Sequence, residues 1–124
     1  MIPKFRAWDK RENTMRDVAV LHFTKGGKVN SIEYWKTPSE LKSYHVRNLV
    51  LMQSTGLKDK NGVEIFEGDI GWDDHLEVHG QVIFENGAFK YEWDNISEDL
   101  FEVTDDIEIV GNIYENPELL EVAE

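Results

Sequence analysis

The residues best placed for chemistry are the run Asp73-Asp74-His75-Leu76-Glu77-Val78-His79. On a β-strand, where alternate side chains point the same way, His75, Glu77 and His79 share one face. Two imidazoles and a carboxylate form a nitrogen and oxygen donor set for zinc or another divalent cation. No thiolate completes the set, because the chain has no cysteine. Strand spacing also puts neighbouring ligands about 7 Å apart, far for one ion. The competing reading is a solvated acidic edge that discourages strand-to-strand association.

Two further acidic pairs, Glu98-Asp99 and Asp105-Asp106, could supply carboxylates for acid–base work or magnesium. Acid pairs in surface turns are far commoner than catalytic dyads, and nothing in their surroundings argues for a raised pKa. There is no nucleophile elbow for serine hydrolase chemistry. The segment Gly56-Leu57-Lys58-Asp59-Lys60-Asn61-Gly62 sets lysines between glycines but lacks the ending of a phosphate loop. The residues therefore imply no catalytic constellation and no cofactor, and an enzyme is not expected.

Charge is the stronger signal. Residues 1–60 carry twelve of the thirteen Lys and Arg against six acidic residues, a net of +6; residues 61–124 carry only Lys90 against nineteen, a net of −18. Such asymmetry is an argument about partners rather than about fold. One reading is that the halves neutralise each other. Another is an acidic face, around Asp73, Asp74, Asp99, Asp105 and Asp106, offered to a basic protein or mimicking a phosphate backbone. A third is homo-oligomerisation through charge-complementary contacts. Lys4, Arg6, Lys10, Arg11 and Arg16, interleaved with Phe5 and Trp8, are a candidate nucleic-acid strip. Against it, the acidic half repels phosphates, and Phe5 and Trp8 serve equally well as core.

The elements that must position these groups are short strands. Leu49–Trp72 is the organising stretch: an apolar run at Val50-Leu51-Met52, a turn at Asp59-Lys60-Asn61-Gly62, and a strand at Glu64-Ile65-Phe66. A second turn at Glu67-Gly68-Asp69 leads into Ile70-Gly71-Trp72. The Asn-Gly pair is expected to take the positive φ angles of a primed hairpin turn. Strands are also expected at Lys4–Trp8, Met15–Phe23 (covered on both faces), Val29–Trp35, His75–Phe84, Phe89–Trp93 and Ile107–Tyr114. Thr37-Pro38-Ser39-Glu40 reads as a helix start with a capping box, giving a short helix near 38–46. Asn95-Ile96-Ser97-Glu98 repeats the capping pattern, and Asn116-Pro117-Glu118 opens a terminal turn of helix. Strands with Gly-centred turns and no β-α-β alternation predict a mostly β, small antiparallel barrel or sandwich. At 124 residues the chain suits one domain that needs no disulfide or metal to fold. Charge where a signal peptide needs an apolar core, and no spanning apolar run, point to a cytoplasmic protein without membrane contact.

The blocks Lys4–Lys10 (KFRAWDK), Leu51–Ile70 (LMQSTGLKDKNGVEIFEGDI) and Val110–Leu120 (VGNIYENPELL), with Met15, resemble the YopX family of bacteriophage and prophage proteins. The resemblance spans nearly the whole chain and is loose over 17–48 and 72–106. It implies a mostly β protein whose C-terminal part is an SH3-like β-barrel; with the strand pattern pausing near Thr37–Arg47, the expected division is an N-terminal β subdomain over 1–47 and, over 48–124, that barrel with a short C-terminal helix, packed as one unit. It also implies a phage or prophage origin and a bacterial host. It carries over no catalytic residue, leaving a non-enzymatic binding module as the expectation.

Overall fold

Turns rich in Gly, Asn and Asp divide the chain into short antiparallel strands. The computed structural model describes residues 4–121, with 61% strand and 8% helical content. The strands are β1 (Phe5–Asp9), β2 (Thr14–Phe23), β3 (Val29–Thr37), β4 (Glu40–His45), β5 (Leu49–Lys58), β6 (Glu64–Phe66), β7 (Asp69–Asp73), β8 (Val78–Glu85), β9 (Ala88–Trp93), β10 (Ile96–Asp99) and β11 (Ile107–Asn112). Three 3-10 turns sit at Val46–Asn48, Leu100–Glu102 and Pro117–Leu120. The mostly β expectation holds, and no closed barrel forms among the described residues. The chain divides into two compact units, up to Gln53 and from Ser54 on, so the division falls inside β5.

In the first unit the pairing order is β4-β3-β2-β1-β5. Its core gathers Ala7, Ile32, Tyr34 and Leu49, with Val18, Leu21, Val29, Tyr44 and Leu51 packed against them. Strand β2 is not covered on both faces. A bulge between Val18 and Val20 shifts the parity, so Val18 and Leu21 are half-buried while Ala19, Val20 and Phe23 are exposed.

The helix expected near 38–46 is instead strand β4, paired with β3 from Ser31↔His45 to Thr37↔Glu40. A capping signal with barely two turns of apolar spacing cannot hold an isolated helix. Pro38-Ser39 serves as the hairpin turn, and the backbone of β4 is satisfied by the β3 ladder. The capping pattern at 95–98 fails for a related reason. Asp94 and Asn95 both adopt positive φ, 44° and 67°, the turn conformation these residues tolerate best. Ile96–Asp99 then returns as β10 against β9, and only Leu100–Glu102 forms a helical turn.

In the second unit the sheet order is β10-β9-β8-β7-β11, and the second half of β5 forms a ribbon with β6. Its core holds Ile65, Val82, Tyr91, Leu100, Val103 and Ile107. Each fully buried aliphatic side chain of this kind contributes roughly 1.5–3 kcal/mol relative to exposure.

Four of the polar residues buried in the two units, Asp9, Asp59, Asp73 and Asn112, share one job. Each ends or directly follows a strand and accepts hydrogen bonds from backbone N–H groups of the next turn. Asp59 does most. Its Oδ1 accepts from Asn61 N at 2.8 Å and Val63 N at 2.9 Å, and its Oδ2 accepts from Ile109 N at 2.8 Å. The turn is not the primed type, because Gly62 alone takes positive φ, 81°. It is a tight turn closed by Gly62 N to Asp59 O, with the carboxylate filling its mouth and tying it to β11. Burial pushes the Asp59 pKa up, but the N–H groups of Ile109, Val63 and Asn61 and the charge of Lys60 outweigh it, leaving it below the ordinary value.

A carboxyl with a lowered native pKa contributes stability that is complete above the unfolded value of about 3.9 and is lost as pH falls through the native value. Asp59→Asn turns an amide donor toward one of these N–H groups. It should cost about 1–3 kcal/mol at neutral pH and flatten the acid limb of stability against pH. Urea unfolding across the acid range measures both; an unchanged acid limb would contradict the assignment.

Candidate functional site

The cavity of the second unit lies beside the turn between β7 and β8. It measures about 270 Å³ and is lined by Asp73, His75, Leu76, Val78, Tyr91, Trp93, Glu98, Val103 and Asp106. The sheet register makes its floor. Gly71 of β7 pairs with Gly80 of β8, and the Tyr91 ring of β9 lies across this glycine pair. A Cβ added at Gly80 would come within 2.3 Å of Tyr91 Cζ, and one at Gly71 within 2.9 Å of its hydroxyl oxygen. Gly80 is therefore a bed for an aromatic ring within a regular stretch of ladder.

The Tyr91 side chain is 2% exposed, and its hydroxyl makes no hydrogen bond among the described residues. Burial raises its pKa and the charge of Asp73 adds to the rise. The Gly80 backbone offsets part of this without reaching hydrogen-bond geometry. Trp93 stands next to it, ring centroids 5.8 Å apart. The partly exposed Trp93 ring beside carboxylates suits a cationic side chain.

The candidate metal ligands are not brought together. Residues 74–77 form a turn rather than a strand, with Glu77 at φ 55°, so the alternation that would align His75, Glu77 and His79 does not exist. Asp73 sets this turn by accepting from His75 N at 2.8 Å and Leu76 N at 3.1 Å. His79 packs on Trp72 at 4.7 Å. Among the described residues no group of three His, Asp or Glu could hold a metal ion.

The acidic residues named from the sequence part company. Asp73 is buried and engaged in its turn. Asp74 accepts from Trp72 Nε1 and from Lys60 Nζ, and these bonds with the Lys60 charge hold its pKa low. Asp99 pairs with Lys90, whose pKa it raises. Asp105 and Asp106 remain exposed, their side chains without a partner among the described residues, and Asp106 borders the cavity.

The basic strip is also redistributed. Arg16 bonds the buried Asp9 carboxylate at 3.3 Å and lies 4.7 Å over the Tyr34 ring. Trp8 is 9% exposed and Arg6 half-buried. Phe5 is half-buried, while Lys4, Lys10 and Arg11 are exposed. Arg11 turns toward Tyr44, 5.8 Å from the ring centroid, on a face the sequence reading left out.

A β protein of two units, with turns locked by buried Asx side chains, is the class this geometry defines. The chain matches the family model described as YopX protein over residues 4–121, and it belongs to that family. It is similar to the crystal structure of protein EF1440 from Enterococcus faecalis at 34% identity and TM-score 0.76, covering 98% of this chain and 99% of that one. Protein yopX from Bacillus subtilis shares the fold at 24% identity and TM-score 0.69, covering 95% and 98%. No curated protein matches. Among the described residues no helix is long and apolar enough to cross a membrane.

Gly80→Ala should cost at least about 1–3 kcal/mol, because ring and Cβ cannot share the space without strand displacement. Tyr91→Phe should be neutral or stabilising, because it removes a buried hydroxyl with no partner. Chemical denaturation of both variants tests the bed. A well-tolerated Gly80→Ala, or a Tyr91→Phe as costly as a core truncation, would refute it.

Proposed function

We propose that the protein is a non-enzymatic accessory protein of a phage or prophage, acting in the bacterial cytoplasm by binding a basic protein through its acidic second unit. The observation that carries this reading is the pair Asp105 and Asp106. Once turns and ion pairs have taken up Asp73, Asp74 and Asp99, these two carboxylates stay exposed and unpaired among the described residues, with Asp106 at the edge of the cavity that holds Trp93. The unit around them carries twenty acidic residues against three bases, a net of −17, enough to steer a cationic partner over about a Debye length. Trp93 offers a flat, partly buried surface of the kind that anchors Arg and Lys at interfaces. The phage or prophage origin rests on the family likeness.

The Asp105→Lys/Asp106→Lys double variant should fold like the parent, since both side chains are exposed. It should lose the partner that the parent retains in affinity capture from host lysate. For the parent, capture should also fade between ~0.1 M and ~1 M salt as the screening length falls from ~10 Å to ~3 Å. Identical capture by parent and variant would exclude this surface.

A further inference from the structure

A second cleft, in the first unit, gathers three cations that make no ion pair among the described residues. It lies between the β1–β2 turn, strand β4 and the 3-10 turn Val46–Asn48, and encloses about 470 Å³. The backbone bond from Lys10 N to Asn48 O, 2.9 Å, fixes two of its walls together. Arg11 enters from the first turn, Lys42 from β4 and Arg47 from the 3-10 turn. All three are exposed, and none makes an ion pair among the described residues. Arg16, Lys36, Lys60 and Lys90 are, by contrast, all paired with carboxylates.

His45 adds a directed donor. Its Nδ1 accepts from Arg47 N at 3.1 Å, so the proton of the neutral ring resides on Nε2, away from the 3-10 turn. Glu12 is the single carboxylate on the cleft wall. Cations arriving from three elements match a tetrahedral oxyanion, which accepts from several directions, better than a planar carboxylate that one guanidinium fork satisfies. The volume exceeds a lone phosphate and falls in the range of about 300–1,000 Å³ usual for small-molecule sites.

We propose that this cleft binds the phosphate group of a nucleotide, either free or within single-stranded nucleic acid. The site is distinct from the acidic surface proposed above, and each can fail without the other. The test titrates the full chain with adenosine diphosphate and, separately, with a short fluorescein-labelled single-stranded DNA. Binding is read by calorimetry and anisotropy at ~0.1 M and ~1 M salt.

At least one probe should bind at the lower salt and be released at the higher, and which one binds identifies the source of the phosphate. Lys42→Glu/Arg47→Glu should weaken binding by at least about tenfold, the scale of one lost charge-assisted hydrogen bond. Lys25→Glu/Lys28→Glu, in the exposed β2–β3 turn, should leave it unchanged. Amide shift mapping on the unmodified protein, which needs no variant to fold, should centre on Arg11 and residues 42–48. The proposal is overturned if neither probe binds at the lower salt, if both charge-reversed pairs weaken binding alike, or if the shifts centre elsewhere.

Discussion

A buried carboxylate that holds three backbone N–H groups is the constraint on which the second unit depends. Asp59 closes the turn after β5 and, through Ile109, fixes that turn to β11, fifty residues later in the chain. Leaving such a charge in an apolar interior without partners is costly. Full satisfaction by backbone donors makes it a position lock instead, because only one register of β11 supplies the third bond. Asp73 repeats the device at the cavity, Asp9 at the first hairpin and Asn112 before the terminal turn. Part of the acidity of this chain is therefore internal architecture.

That division of labour orders the functional reading. An acidic cluster in a sequence looks uniform, yet the structure assigns Asp73 to a turn, Asp74 and Asp99 to lysines, and leaves Asp105 and Asp106 without a partner among the described residues. The basic half sorts the same way: Arg16 supports Asp9 and Tyr34, whereas Arg11, Lys42 and Arg47 line an open cleft. Charges engaged internally carry little information about partners. The unengaged ones are the charges on which the two proposed binding surfaces rest.

Much of the fold was legible because its signals are local. Asn86-Gly87 is a hairpin turn by its own conformational preference, with φ of 53° and 79°, and Phe89, Tyr91 and Trp93 alternate as a half-buried strand does. Where local signals competed, tertiary pairing won: Glu40–His45 carried a helix cap yet became a strand because β3 offered it a ladder. The glycine bed under Tyr91 was invisible, since it requires knowing that Gly71 faces Gly80 and that β9 lies next to β8. The metal reading failed on one residue-level fact, a four-residue turn where a strand was expected. The cleft of Arg11, Lys42 and Arg47 joins three segments whose proximity the sequence could not show. The sequence showed Asp59 only as part of a turn; its bond to Ile109 joins residues fifty apart and has no local signal.

The central claim is that the buried Asp59 carboxylate stays ionised because the backbone holds it. A direct measurement follows the Asp59 side-chain carbonyl by carbon NMR through an acid titration, alongside the amides of Asn61, Val63 and Ile109. Asp59 is expected to titrate below the ordinary aspartate value of about 3.9, with the three amides shifting at that same midpoint. A midpoint at or above the ordinary value, or an Ile109 amide indifferent to it, would contradict the claim.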